Sequence, residues 1–219
     1  MTRLWTDVDT GTLPSQLSMC AKRFYQRGWM YGTAGNLSVR LDEKRFLITA
    51  SGKTKGDLST TDFVSIELST GNKLESDDSL PTESMNKPSA ETCIHQVIYQ
   101  LYPQAAACFH IHTVDACLAS SPYGKEKHLP LPNLEMIKAF DIWEEMPNIS
   151  LPLFDNYLNV ASISEEIHAR FSASKPAIDA LMIKNHGVTV WGNTIQQTFN
   201  RLEALEFIMS FLAKQTHHY

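Results

Sequence analysis

Long apolar runs are missing from this chain of 219 residues. No stretch approaches the roughly 18 to 20 consecutive apolar residues that a membrane-spanning helix requires. Residues 1–12 carry Arg3, Asp7 and Asp9 where a secretion signal has an apolar segment. Repeats and low-complexity segments are also absent from the sequence. We therefore expect a cytoplasmic protein, and the hydrophobic content of 43% predicts a single domain, residues 1–219, around one large core.

Two further scarcities limit the chemistry and the partners of the chain. Its four cysteines, at positions 20, 93, 108 and 117, are too few for a disulfide framework, and no two form a close Cys-x-x-Cys pair. We expect free thiols. The net charge is −5, and the lysines and arginines are scattered rather than clustered, so neither a nucleic-acid surface nor a membrane surface is indicated.

What the sequence does contain is a succession of helix and strand patterns. Apolar residues at helical spacing predict helices over residues 13–29, 89–101, 114–120, 162–171 and 194–214. Apolar or alternating runs predict strands over residues 36–41, 45–49, 62–68, 104–112, 177–184 and 188–191. Ser162 and Glu165 have the separation of a capping box at the start of the fourth helix. Because hairpin-like and crossover connections are mixed, we predict a layered α/β fold with a mixed sheet and helices on both faces.

Two segments show neither pattern. Residues 75–87 are polar and rich in turn-forming residues, which predicts a surface loop. Residues 121–154 contain five prolines, and we predict an irregular region there.

The most informative motif is His110-Ile111-His112, which ends an apolar run. Alternate side chains of a strand lie on one face, so both imidazoles can bind one ion, while His186, in an Asn-His-Gly segment, can supply a third. Three neutral imidazoles with one open position are typical of a catalytic zinc site. The pair alone is equally compatible with a strand face that binds nothing.

Three segments rich in glycine and hydroxyl side chains precede the histidines. Each lies where a strand or helix should begin, a position at which backbone amides can close around an anion. Taken singly, each is also typical of an ordinary turn. The segments are Thr33-Ala34-Gly35-Asn36, Ser51-Gly52-Lys53-Thr54-Lys55 and Pro88-Ser89-Ala90-Glu91.

The order of these motifs resembles the class II (zinc-dependent) sugar-phosphate aldolase family, which includes epimerase and dehydratase branches. The resemblance runs from about residue 15 to residue 211. It implies a three-layer α/β/α fold with a central, mostly antiparallel mixed sheet, one Zn²⁺ per subunit, a phosphorylated ketose substrate and a homotetramer. It also implies that the zinc ligands are His110, His112 and His186, and that the phosphate-binding positions are Thr33, Gly35, Asn36, Ser51, Gly52 and Ser89.

Three further residues are uncertain at this point. Lys55 is a candidate charge partner for the phosphate, and a solvated loop lysine is the alternative. Glu91 matches the catalytic carboxylate of the aldolases, which can also bind the metal, but an acid in the first turn of a helix has a simpler explanation in the helix dipole. His95 lies one helical turn after Glu91, and we expect a surface or packing role for it rather than a place beside the site.

The segment of residues 133–140, Asn-Leu-Glu-Met-Ile-Lys-Ala-Phe, resembles one branch of the family in particular. That branch dehydrates 5-methylthioribulose 1-phosphate to 2,3-diketo-5-methylthiopentyl 1-phosphate in methionine salvage. Residues 183–192 resemble the same branch, although Ala139 stands where we would expect glycine. The resemblance implies that Glu135 is the general base, which takes the C3 proton and then helps the C4 hydroxyl to leave as water.

Two other functions remain open. An aldolase or 4-epimerase of the same family would share the metal and the bound ketone but would break the C3–C4 bond. A non-catalytic scaffold of the adducin type has no need of three histidines and Glu135 together, which argues against it.

Overall fold

An eight-stranded sheet forms the centre of the computed structural model, which describes residues 12–74 and 85–216. Most of the predicted surface loop, residues 75–84, lies outside these ranges. The strands are Asn36–Arg40 (β1), Arg45–Thr49 (β2), Phe63–Glu67 (β3), Ala107–Ile111 (β4), His128–Pro130 (β5), Ser150–Phe154 (β6), Ala180–Ile183 (β7) and Gly187–Gly192 (β8). The helices are Leu13–Gln26 (α1), Thr92–Leu101 (α2), Val114–Ser120 (α3), Val160–Ala173 (α4) and Ile195–Thr216 (α5).

The sheet is mixed and mostly antiparallel, as predicted. Its strands lie in the order β3-β2-β1-β4-β8-β7-β6-β5, and β6 and β7 form the parallel pair, while every other neighbouring pair is antiparallel. In the middle of the sheet, Asn36 of β1 is opposite His110 of β4, and His110 is opposite Thr189 of β8. This register brings three segments that are far apart in the sequence into one row.

Helices cover both faces of the sheet, which confirms the three-layer α/β/α prediction. Helices α1, α3 and α5 pack on one face, whereas α2 and α4 pack against each other on the opposite face. Successive side chains of a strand point to opposite faces. On β4, Phe109 and Ile111 therefore enter the core under α1 and α5, while Cys108 enters the core under α2 and α4. His110 lies on the same face as Cys108, the face that α2 covers.

The prediction that residues 121–154 are irregular was wrong. The segment contains β5, β6 and a 3-10 helix, Glu135–Phe140. Its prolines are compatible with these strands because Pro130 lies on the edge strand, where a missing N–H leaves no partner unpaired, and Pro152 precedes the residues that pair with β7. Burial of Leu129 and Leu151 in the core holds both strands in the sheet.

The start of α4 also differs from the prediction. The helix begins at Val160, and the side chain of Asn159 accepts a hydrogen bond from the Ala161 N–H at 3.1 Å. Ser162 therefore lies inside the first turn and is not the N-cap residue. Asparagine is as good an N-cap as serine, so two capping residues competed in this sequence and the earlier one prevailed.

All four cysteines are free thiols, and Cys20 and Cys108 are buried. None of the helices in residues 12–74 and 85–216 is both long enough and apolar enough to pass through a bilayer.

One buried acid lies on the face of α5. Glu206 is 2% exposed and lies beside Thr113 and Asp115. Burial raises the pKa of this carboxyl to about 8; a hydrogen bond with the Thr113 side chain opposes this rise, and the nearby charge of Asp115 adds to it. Glu206 is therefore mostly protonated at neutral pH in the folded protein.

We predict that Glu206→Gln stabilises the protein at neutral pH. The folded-state pKa of about 8 lies above the ordinary value of 4.5, so the unfolded chain loses its proton first and folded-state stability falls as the pH rises between these values. A neutral isostere removes this loss, and we expect a free energy of unfolding about 1–3 kcal/mol higher at a pH near 7.5, with little difference near pH 4.

Urea denaturation at both pH values measures this difference. The control is Glu203→Gln on the same helix, which removes a partly exposed ion pair with Arg27 and should change stability by less than about 1 kcal/mol. If Glu206→Gln lowered the stability at the higher pH, the carboxylate would have to be ionised and paired, contrary to this interpretation.

Candidate metal centre

Three imidazoles and one carboxylate converge where β4, β8 and α2 meet. His110 lies on β4, His112 follows the strand directly, His186 lies in the turn between β7 and β8, and Glu91 immediately precedes α2. One ligand atom from each of the four lies within 4.8 Å of every other. The structure thus brings the three predicted ligands together and adds Glu91 to them.

The ligand atoms of this cluster lie close to one another. Nε2 of His112 is 2.8 Å from Nε2 of His110 and 3.0 Å from Nε2 of His186. Oε1 of Glu91 is 2.9 Å from Nε2 of His186 and 3.4 Å from Nε2 of His110. Donor atoms at about 2.0–2.1 Å from a tetrahedral zinc ion are separated by roughly 3.3 Å, so small side-chain movements would place these four atoms around one ion.

The other ring nitrogens of two histidines are held by neighbouring side chains. Nδ1 of His186 is 3.0 Å from Oδ1 of Asn156, an acceptor, so Nδ1 carries the proton and Nε2 presents its lone pair. Nδ1 of His110 is 2.9 Å from the hydroxyl of Thr189. Burial lowers the pKa of His110 to about 4 and that of His112 to about 3, so both rings are neutral, as metal ligands must be.

A glycine allows the strands to approach closely at this point. A Cβ atom built on Gly187 would lie 2.0 Å from the carbonyl oxygen of Ile111, which is closer than any side chain allows. Gly187 is adjacent to His186, and Ile111 lies between the other two ligands. The glycine of the Asn-His-Gly segment is therefore required by the packing of β8 against β4, a role that the sequence did not reveal.

Glu91 is buried and held from both sides. Its side chain is 11% exposed, and its Oε2 accepts a hydrogen bond from Nδ2 of Asn36 at 2.5 Å. Burial disfavours the ionised form, but the adjacent imidazoles, His110 first among them, outweigh this effect and hold the pKa of Glu91 well below its usual range. The carboxylate is thus a full partner in the cluster, which the helix-dipole explanation alone does not require.

The predicted phosphate segments lie side by side. Nζ of Lys55 donates to the carbonyl oxygens of Thr33 at 2.8 Å and Lys53 at 2.9 Å, which joins the first two segments. The backbone N–H of Ser51 donates to the carbonyl of Lys87 at 2.8 Å, and Ala50 forms a β-bridge with Pro88, which joins the third segment. The order of motifs in the sequence thus becomes one continuous surface beside the metal cluster.

The residues of this surface differ in how exposed they are to solvent. Thr33, Ser51 and Gly52 are exposed, and Gly52 has a φ of 74°, a left-handed conformation suited to glycine. The hydroxyl of Ser89 accepts from the Glu91 N–H at 3.3 Å. Gly35, with a φ of 76°, is buried against Met30 and the His110 carbonyl.

Two of the predicted phosphate residues have other contacts. Lys55 is 2% exposed, so it is not a solvated loop lysine, and burial lowers its pKa to about 8 although the charge of Glu91 raises it. Asn36 is also 2% exposed, and its amide faces Glu91 and His95 instead of the open surface. The side chain of Asn36 therefore belongs to the surroundings of Glu91.

Glu135 is not brought to the metal cluster within one chain. It is the first residue of the 3-10 helix, its side chain is 82% exposed, and it pairs with Lys138 at 3.0 Å. Arg201 donates both to the carbonyl of Ala139 in that helix and to the carbonyl of Trp191. Trp191 lies at the far end of β8, about 13 Å along the strand from the histidine turn.

His95 is not on the surface, which was one of the two roles predicted for it, and it lies beside the residues that contact the cluster. It is fully buried, and its Nε2 is 2.5 Å from Oδ1 of Asn36. The available signal was the four-residue separation from Glu91, which places both side chains on one face of a helix.

Comparison with known proteins identifies the family of this chain. The family described as Class II Aldolase and Adducin N-terminal domain matches residues 15–212. The chain belongs to this family. Its relatives within the class II aldolase family include the methylthioribulose-1-phosphate dehydratase of Microcystis aeruginosa, which is 51% identical over 196 residues, covering 90% of this chain and 92% of the relative. The enzyme of the same name from Leptospira biflexa is 42% identical over 214 residues, covering 95% and 100%.

Two solved structures have the same fold as this chain. L-Fuculose-1-phosphate aldolase from Thermus thermophilus has a TM-score of 0.67 at 20% identity, covering 92% of this chain and 93% of that one. YgbL from Klebsiella pneumoniae has a TM-score of 0.76 at 22% identity, covering 94% and 91%. Both the predicted family and the predicted fold are confirmed.

We predict that His112→Ala abolishes metal binding without unfolding the protein. His112 is the imidazole shared by both short Nε2 contacts, and loss of one ligand from a site of this kind removes most of its affinity. After gentle purification, elemental analysis should find less than about one-tenth of a zinc per chain. His128→Ala, on the exposed edge strand β5, is the matched control and should keep the metal. Equal zinc content in both variants would exclude this cluster as the binding site.

Proposed function

We propose that this protein is a zinc-dependent hydro-lyase of methionine salvage that converts 5-methylthioribulose 1-phosphate to 2,3-diketo-5-methylthiopentyl 1-phosphate and water. One observation carries the proposal: the convergence of His110, His112, His186 and Glu91 in a chain whose relatives at 42–51% identity, over nearly its full length, are named for this dehydration. We expect it to act in the cytoplasm, with no nucleic-acid or membrane partner.

The residues of the cluster suit a catalytic Zn²⁺, one per subunit. Neutral imidazoles are preferred ligands of this ion, and three of them leave positions for a carboxylate or for substrate oxygens. A zinc ion held there would act as a Lewis acid on the C2 carbonyl and C3 hydroxyl oxygens of the ketose, which acidifies the C3 proton.

The protein side chains then have separate tasks in this mechanism. The C1 phosphate binds to the segments that contain Thr33, Gly35, Ser51, Gly52 and Ser89. Lys55 attracts the phosphate by its charge and joins two of these segments through hydrogen bonds. Asn36 contributes through Glu91 and not through the phosphate.

Glu135 moves the proton. Its carboxylate takes the proton from C3, the electron pair forms the C3–C4 double bond, and the C4 hydroxyl leaves with the proton that Glu135 returns, as water. The resulting enol at C3 becomes the ketone, which gives the 2,3-diketone. A group that first accepts and then donates one proton must stay within reach of both C3 and the C4 oxygen.

Because Glu135 is exposed and lies apart from the cluster in its own chain, we propose that it serves the metal site of a neighbouring subunit in a homotetramer. Its surroundings support an interface, since the large apolar side chains Trp143 and Met146 of the same surface are 72% and 79% exposed. Asn133 donates to the Glu145 carbonyl and so ties together the two ends of this surface segment.

We predict that Glu135→Gln keeps the zinc and loses most of the turnover. Glutamine has the same shape but cannot accept the C3 proton, so kcat should fall by a factor of about 10² to 10⁴. The assay follows the diketone formed from 5-methylthioribulose 1-phosphate, with elemental analysis of the same sample. Glu144→Gln, a nearby exposed acid without an assigned role, should keep normal activity.

The same assay also separates the alternatives. Metal loss in Glu135→Gln equal to that of His112→Ala would contradict its role as the base. Release of an aldehyde from a ketose phosphate, with no diketone, would favour an aldolase or epimerase. Wild-type protein that binds no zinc would revive the adducin-like scaffold.

We further predict that two inactive variants restore each other. If Glu135 of one subunit completes the site of another, tetramers reassembled from equal amounts of Glu135→Gln and His112→Ala chains contain sites with an intact triad and an intact glutamate. Random assembly gives about a quarter of wild-type activity. Each variant reassembled alone is the control. No recovery in verified mixed tetramers would mean that Glu135 does not act across an interface.

A further inference from the structure

A chain of buried hydrogen bonds leads away from the metal cluster into the layer under α2. Starting from Oε2 of Glu91, it passes through the amide of Asn36 at 2.5 Å and then to Nε2 of His95 at 2.5 Å. Nδ1 of His95 is 2.7 Å from the hydroxyl of Ser38, which is 2.8 Å from the hydroxyl of Tyr99. All five side chains are buried.

The direction of every hydrogen bond in this chain follows from the carboxylate. An ionised carboxylate only accepts, so the NH₂ group of Asn36 must face Glu91 and its carbonyl must face His95. That carbonyl only accepts, so Nε2 of His95 carries the proton. Burial lowers the pKa of His95 to about 4, so the ring is neutral and Nδ1 is a bare acceptor, to which Ser38 donates.

The last hydrogen bond of the series, between Tyr99 and Ser38, has the same direction. Once Ser38 donates to His95, its oxygen is free to accept from the Tyr99 hydroxyl. Four groups thus donate toward the metal cluster, and Glu91 accepts at the inner end. The Ser38 hydroxyl also lies 3.2 Å from the carbonyl oxygen of Cys108, a longer contact than its 2.7 Å to Nδ1 of His95. Buried polar groups of this number are expensive in a protein core, and apolar side chains would fill the layer at lower cost if packing were their only role.

We propose that His95 is a positioning residue for the metal site: through Asn36 it holds Glu91 with Oε2 turned inward and Oε1 facing the three imidazole nitrogens. Without the His95 donor, the carbonyl of Asn36 has lost its partner in the core, and only Glu91 holds the amide. An amide that turns toward another donor no longer fixes Oε2, and Oε1 can then leave its position 2.9 Å from Nε2 of His186. The inference rests on the zinc site of the proposed function but not on its substrate.

The experiment compares three variants by competition for Zn²⁺ with a chromophoric chelator. His95→Leu removes both hydrogen bonds, and we expect the zinc dissociation constant to rise about 10- to 100-fold. His95→Gln can still donate to Asn36, so it should recover much of this loss. Ile98→Ala, a fully buried residue one turn later on α2, should lower the melting temperature but leave zinc affinity within about twofold of wild type.

A double variant tests whether His95 acts through Asn36. If it does, His95→Leu should weaken zinc binding no further once Asn36→Leu is present, because both substitutions break the same hydrogen bond between His95 and Asn36. With substrate, His95→Leu should lower kcat far more than it changes KM, since the phosphate segments are untouched. Additive losses of zinc affinity in the double variant would overturn the proposal.

Ser38→Ala decides the question if His95→Leu does not fold. It removes the hydroxyl that donates to Nδ1 of His95 and leaves the bond from Nε2 to Asn36 in place, so zinc affinity should fall in the same direction by a smaller factor. Zinc affinity equal to wild type in Ser38→Ala, or in a folded His95→Leu, would overturn the proposal. A wild-type protein that binds zinc but forms no diketone would refute the proposed substrate and leave these titrations valid.

Discussion

The antiparallel pairing of β1, β4 and β8 is the constraint on which the rest of the structure depends. Its register sets Asn36, His110 and Thr189 in one row, so the strand that carries a ligand is flanked by the residues that orient the ligand and its neighbouring carboxylate. A shift of one residue would turn His110 into the opposite core, against α1 and α5. Gly187 then lets β8 approach β4 closely enough for the turn before it to deliver His186.

Packing and polarity are divided between the two faces of this sheet. The face under α1, α3 and α5 is filled with apolar side chains such as Phe24, Phe109 and Leu205. The face under α2 has apolar residues toward its edges and hydrogen-bonded polar groups at its centre. A polar network inside a core is stable when every member has a partner, and the network here ends at a place where a divalent ion can satisfy the remaining lone pairs. Stability and function therefore share the same residues.

Sequence patterns were sufficient at several places where the determining contacts are local, although not at the start of α4, where Asn159 and not Ser162 is the N-cap. The helix at Val114–Ser120 and the strand at Arg45–Thr49 have the predicted bounds, and the two imidazoles of the His-x-His motif lie together with His186. Local rules failed where a distant contact decides, as at Pro152, which is accepted beside a sheet edge. His95 was misplaced because its partner Asn36 is 59 positions away in the sequence. For Glu135 the motif indicated a role but carried no information on its position in the fold.

The buried lysine beside the site has an electrostatic consequence. Lys55 contributes one positive charge and Glu91 one negative charge, and these cancel, so a divalent ion among neutral imidazoles leaves the pocket with a surplus of about two positive charges. The chain as a whole carries −5. A phosphate ester that approaches this acidic protein therefore meets an attractive field at the mouth of the site, which orients the charged end of the substrate before any specific contact forms.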